Sequence, residues 1–121
     1  MGYQGDETTG FQSPAQDHVE GVVDLAAMLE LRRPGRYPVR VHGEGLVSRG
    51  IFDGDILVAD AAASPAHNGV CIAIVGADVV VATLTRATDG WTLTTGQGAV
   101  VPVDDAVEIW AMVEALVRVE I

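Results

Sequence analysis

Lysine is missing from this 121-residue chain; its seven basic residues are all arginine, against seventeen acidic ones. Arginine stays protonated at any workable pH, so no residue here can act as the neutral amine base that some hydrolases use. Cysteine occurs once, at Cys71, which excludes an internal disulfide. Its apolar surroundings, Gly69-Val-Cys-Ile-Ala-Ile-Val, read as a buried structural thiol rather than a reactive one. Aromatics are only 5% of the chain, so a core must be filled by Val, Ala, Leu and Ile. No apolar run reaches the roughly 20 residues that span a bilayer. The first ten residues are polar, without the apolar stretch of a secretory leader. A cytoplasmic protein with no membrane contact is the expectation.

The charge balance points the same way. A formal net charge of −10 repels a nucleic-acid backbone across most of the surface, so direct nucleic-acid binding is not expected. The acidity reads first as a device for solubility; the sharper alternative is a basic protein partner, which such a field would attract.

What the chain has in quantity is glycine, fourteen residues, and β-branched side chains. The densest glycine stretch is Val41-His-Gly-Glu-Gly-Leu-Val-Ser-Arg-Gly-Ile-Phe-Asp-Gly-Asp55. Gly43, Gly45 and Gly50 precede an Asp53-Gly54-Asp55 turn, and β-favouring runs flank the whole. Such a loop between strands is a site candidate, because it brings backbone close to whatever it faces.

Around it, residues 1–9 read as a mobile arm and residues 10–121 as one folded domain. Phe11 reads as an anchor of an extended segment at 10–14. Apolar spacing predicts a short helix with one apolar face over 17–31, its regular part (25–31) capped by Asp24. Arg32 and Arg33 would complement its C-terminal dipole, and Pro34-Gly35 would stop it. Strands are predicted over 36–42, 56–59, 69–75, 79–86 and 91–95, with a hairpin at Gly76-Ala77-Asp78, a turn at Asp89-Gly90 and a break at 96–98. The closing run, 106–121, is read as a strand pair bent in its middle, and its exposed edge would favour self-association. The fold class is mainly β (a β-rich α+β chain).

The glycine loop resembles the Gly-Asp-Ser-Met-x-x-x-Gly-Ile-x-Asp-Gly-Asp signature of the LexA/UmuD group of self-cleaving S24 serine peptidases. It reads Gly43-Glu44-Gly45-Leu46, then Gly50-Ile51, then Asp53-Gly54-Asp55. Further likeness lies in Gly10-Phe-Gln-Ser-Pro-Ala15, Asp17-His-Val-Glu20, Asp24-Leu25, Asp55-Ile-Leu-Val-Ala-Asp60, His67-Asn-Gly69 and Ile109-Trp-Ala-Met-Val113. The resemblance implies the folded sheet of the LexA/UmuD C-terminal domain with one short N-terminal helix. It also implies a self-cleavage-like bond at Thr9-Gly10. Residues 94–102 are shorter than the family's Pro-x-Asn-containing loop.

The family's chemistry pairs a loop serine with a buried neutral lysine. Carried over, the serine falls on Gly45 and the lysine on Ala82, neither of which can act; Gly43, Glu44 and Leu46 complete the cleft loop. A proteolytically inactive binding protein is therefore expected, without cofactor or metal. The partners implied are a second copy, the RecA filament and an error-prone Y-family DNA polymerase, in the SOS response and translesion synthesis. The alternative is a self-cleaving S24 peptidase. It would be active in its wild-type form if Gly45 and Ala82 were engineered replacements of the Ser and Lys, or through a variant nucleophile such as Ser48 with His42. A repressor of the LexA type would need a DNA-binding domain that nine residues cannot hold. His18, His42 and His67 lack metal spacing. Asp53, Asp55 and Asp60 fit a glycine-bracketed turn better than a cation site.

Overall fold

The computed structural model describes residues 19–120. The expected arm at 1–9, the segment around Phe11 and the Thr9-Gly10 bond lie outside the described residues.

Alternating apolar residues build one seven-stranded antiparallel sheet. Its strands are β1 (Arg36–Arg40), β2 (Ile56–Asp60), β3 (Val70–Val75), β4 (Asp78–Ala87), β5 (Gly90–Thr95), β6 (Val100–Pro102) and β7 (Val107–Val117). Their spatial order is β1-β2-β7-β3-β4-β5-β6. The mainly-β reading with one short helix holds, as do the hairpin at Gly76-Ala77 and the turn before Gly90.

Three details differ from expectation. The closing run is one strand, not a pair. Its C-terminal half pairs with β2 and its N-terminal half with β3, with Met112 opposite Asp60 on one side and Cys71 on the other. The register slips between Val58 and Ala59, and again between Ile72 and Ala73. These bulges leave Glu114 and Trp110 as extra residues and supply the bend, since a bulge curves its strand. β7 therefore lies inside the sheet, so the exposed-edge argument for self-association does not apply to it. The second difference is β6, a short strand just after the break at 96–98 where none is predicted; it extends the sheet past β5.

The third difference is the helix. Only α1 (Leu25–Met28) forms among the described residues, four residues long. Asp24 caps it as expected, accepting from the Ala27 N–H at 3.2 Å. The predicted apolar face stays open: Val22, Leu25 and Met28 are more than half exposed. Short helices in water depend on packing for their stability, so propagation fails here. Glu30, at φ 52°, turns the chain away. Arg33 pairs with Glu30 at 3.3 Å rather than sitting in a last helical turn.

On the two faces of the sheet the buried apolar residues form three clusters. Cys71, Ala73, Ala82, Leu84, Leu93 and Met112 make one. Val41, Leu46, Ile51, Leu57 and Val70 make another, with Val81 packed against it. Ala59, Ile72 and Ala111 form the third, bordered by Val39, Trp110 and again Val81. β4 alternates between them, as a strand must: Val81 joins the second and third clusters, Ala82 the first. Burial pushes the Cys71 thiol up to about 11, so it is an inert core group.

Candidate functional site

The glycine loop links β1 to β2 and folds on itself. Leu46 and Ile51 face each other in a two-residue bridge, Leu46 N–H donating to the Ile51 carbonyl at 2.9 Å and Ile51 N–H to the Leu46 carbonyl at 3.1 Å. Between them runs a single 3₁₀ turn (Val47–Arg49), closed by Gly50 at φ 76°. Both bridge side chains are buried. Apolar burial thus holds this half of the loop.

Charge holds the other half. Gly43 N–H donates to Asp53 Oδ1 at 2.7 Å. Asp55 is 2% exposed and receives a bidentate guanidinium: Arg118 Nε donates to Oδ1 at 2.8 Å and Nη2 to Oδ2 at 2.7 Å. Phe52 N–H adds a bond to Oδ2 at 2.7 Å. The Arg118 hydrogen bonds, followed by that of Phe52, hold the Asp55 carboxyl down to about 2. Arg118 also donates to the Gly50 carbonyl at 2.8 Å and lies over the Phe52 ring.

At the end of β2, Asp60 accepts from Ala62 N–H at 2.9 Å and from Arg36 Nε at 3.2 Å. The Ala62 bond first, then Arg36, lowers its pKa. Arg36 reaches on to the Leu29 carbonyl at 3.0 Å, tying the segment after α1 to the sheet. The three aspartates thus each serve a hydrogen bond that shapes the chain. Among the described residues, no group of three or more His, Cys, Asp or Glu is placed to hold a metal ion, and no helix is long and apolar enough to cross a membrane.

Beside the loop opens a cleft of about 500 Å³. Its walls are residues 39–42 at and just beyond the end of β1, Glu44 and Gly45 of the loop, 79–81 of β4, and the β5–β6 turn at Thr95, Gly96, Gln97 and Ala99; Leu57 and Ile72 complete it. Its apolar lining with a few polar groups at the edge is the usual make-up of a binding site.

The residues singled out in the sequence are distributed unevenly about this cleft. Glu44, Gly45 and His42 line it. Leu46 is buried beneath. Gly43, at φ 76°, turns the chain at the mouth of the loop. Ala82 is fully buried in the cluster of Cys71 and Leu84, whereas the β4 side chain packed with Leu46 and Ile51 belongs to Val81. Ser48 is exposed in the 3₁₀ turn and is not among the lining residues, so the cleft does not unite it with His42. His67 accepts the Arg86 N–H at Nδ1, 2.9 Å, at the far end of β4.

Two residues escaped the sequence reading. Arg118 lies 63 positions from the carboxylate it binds, and nothing local marks that pairing. Gly96 reads in sequence as a chain break, yet it lines the cleft beside Gly45.

With this geometry in view, the family model that matches the chain, over residues 3–110, is Peptidase S24-like. The chain belongs to the Peptidase S24-like family. Similar individual proteins include Protein ImpA of Salmonella typhimurium, 35% identical over 72 residues, which is 60% of this chain and 50% of that protein. Protein SamA of Salmonella typhimurium (strain LT2) is 36% identical over 64 residues, 53% of this chain and 46% of SamA. The LexA repressor of Delftia acidovorans is 33% identical over 76 residues, 63% of this chain and 34% of the repressor. The aligned stretch spans about half the length of ImpA and SamA. This S24-like chain thus resembles both branches of the LexA/UmuD group named from its glycine loop.

Proposed function

We propose that this S24-like chain is a UmuD-like accessory protein that has lost self-cleavage and works by binding. The supporting observation is at position 45, where the family signature carries its serine. Glycine stands there, buried in the loop, and the whole sequence holds no lysine to serve as base. The position matched to that lysine is Ala82, whose methyl group can neither take nor give a proton. A Ser–Lys mechanism needs a hydroxyl to attack and an amine to receive its proton, and this chain has neither at those positions.

What persists in this reading is the cleft and the sheet around it. Its function is to associate: with a second copy, with the RecA filament and with an error-prone Y-family DNA polymerase, in the cytoplasm during the SOS response. Residues 1–9 act as the arm ahead of the cleavage-like bond Thr9-Gly10, and residues 10–121 as the binding domain. The net charge of −10 favours basic protein surfaces over nucleic acid as direct partners.

Intact mass after prolonged incubation at pH 7 and at pH 10, with and without activated RecA, tests this. An unchanged mass in all four conditions is expected. Loss of residues 1–9 overturns the reading and assigns a working nucleophile to this chain, with Ser48 the first to replace by alanine.

A further inference from the structure

Gly45 and Gly96 both line the cleft with their backbones in contact, and neither has room for a side chain. A Cβ built on Gly45 would lie 2.5 Å from the Ile51 carbonyl oxygen, 3.0 Å from its carbon and 3.2 Å from Ile51 Cγ2. The obstacle is backbone, fixed by the two hydrogen bonds between Leu46 and Ile51, so it cannot rotate aside as a side-chain tip would. A Cβ on Gly96 would collide with the Gly45 carbonyl oxygen and come within 3.6 Å of Leu46 Cα. Both glycines have ordinary backbone angles rather than the left-handed ones seen at Gly43, Gly50, Gly54 and Gly98. Their requirement is therefore close approach, not turn geometry.

Three backbone segments are thus stacked without a side chain between them: Ile51 against Gly45, and Gly45 against Gly96. The β5–β6 turn that carries Gly96 is itself braced. Thr95 N–H donates to the Ala99 carbonyl at 2.9 Å, Gly98 N–H to the Thr95 carbonyl at 3.0 Å, and Thr95 Oγ1 accepts the Ala99 N–H at 3.2 Å. Thr95 pairs in turn with Ala82 on β4. The braced turn thus meets the hydrogen-bonded bridge of the glycine loop directly.

We infer that Gly45 and Gly96 form a backbone latch that ties the glycine loop to the β5–β6 turn beside the cleft, and that Gly96 is the residue deciding whether the loop stays seated. Position 45 is then not an empty seat for a nucleophile, because the Ile51 carbonyl occupies the space of its Cβ. In a Gly45→Ser, Ala82→Lys double variant the serine can be accommodated only by moving Ile51, which breaks the Leu46–Ile51 bridge. The latch is independent of the proposed loss of peptidase activity. A cut at Thr9-Gly10 would overturn that reading and leave the latch standing.

The test is solution NMR on the intact chain. In the unsubstituted protein the latch requires a nuclear Overhauser contact between the Hα protons of Gly96 and Leu46, and another from Gly45 Hα to an Ile51 methyl. Absence of the first overturns the latch whatever any variant does. In Gly96→Ala the Leu46 and Ile51 amides, which protect each other, should exchange with deuterium at least about tenfold faster, because the loop opens locally while the sheet stays folded. The Leu84 and Leu93 amides of the sheet should keep their rates, and Gln97→Ala, one residue along, should change none of the four. Unchanged exchange at Leu46 and Ile51 in a folded Gly96→Ala overturns the inference.

Discussion

The two halves of the glycine loop are held by different forces. Leu46 and Ile51 fix the first half by burying apolar surface among Val41, Leu57 and Val70. Asp53, Asp55 and Arg118 fix the second by charge-assisted hydrogen bonds. The apolar half faces the cleft and carries Gly45; the ionic half turns toward the end of the chain, where Arg118 follows β7. The contrast matters because the two forces respond differently to acid. Apolar burial does not titrate, whereas a carboxylate held by a guanidinium does. One loop is therefore anchored at one end by contacts that do not titrate and at the other by a carboxylate that does.

The largest effect should come from the apolar half. Leu46 is 1% exposed, and truncation to alanine removes buried surface and leaves a cavity, costing about 2–5 kcal/mol. Chemical denaturation of Leu46→Ala should show that loss with little dependence on pH between 7 and 3. A loss that varies steeply with pH would mean that the two halves are not separately anchored.

Asp55→Asn comes second. Arg118 keeps its bond to the Gly50 carbonyl and its side chain is one-third exposed, so solvent screens part of the unpaired charge. The pH signature is the sharper readout. The folded carboxyl titrates at about 2 against an ordinary 3.8, so between those values the unfolded chain binds more protons than the folded one. Stability contributed by Asp55 is therefore fully present above about pH 4 and is lost as pH falls toward 2. Asp60, also lowered, acts in the same direction. Asp55→Asn should thus flatten the acid limb of a stability–pH profile without abolishing it; a limb identical to that of the unsubstituted protein would remove Asp55 from the account.

Gly50→Ala probes the seam between the halves. Gly50 sits at φ 76° with open space where a Cβ would go, so the cost is backbone strain alone, about 1–2 kcal/mol. Thermal unfolding measures it, and Gly50→Asn should recover part of the loss because asparagine tolerates left-handed backbone.

How much of this was readable beforehand depends on the range of each interaction. Short-range signals carried well. Alternation located most of the strands, glycine–aspartate turns located the hairpins, and Asp24 capped where a cap was expected. The long-range terms did not. Arg118 on Asp55 joins residues 63 apart, and Gly96 on Gly45 is a contact between two residues with no side chain to announce it. The helix failed for the complementary reason. Its apolar spacing was real, but spacing states only that a face exists, and among the described residues nothing covers it. At β7 the bend was anticipated while the pairing was not, because β-propensity says nothing of which neighbour each half of a strand will find.

That uncovered helix gives the smallest expected effect and a check on the ranking as a whole. Asp24→Ala removes the cap that bonds the Ala27 N–H, and in a packed helix such a loss costs about 0.5–2 kcal/mol. Here α1 buries none of its residues, so its unwinding forfeits little of the stability of the sheet. Global unfolding of Asp24→Ala should stay within about 0.5 kcal/mol of the unsubstituted chain, as for surface substitutions in general. The Ala27 and Met28 amides should lose whatever protection they have. A global loss near the packed-helix figure would show that α1 is covered in solution, and that its apolar residues have found the partner their spacing implies.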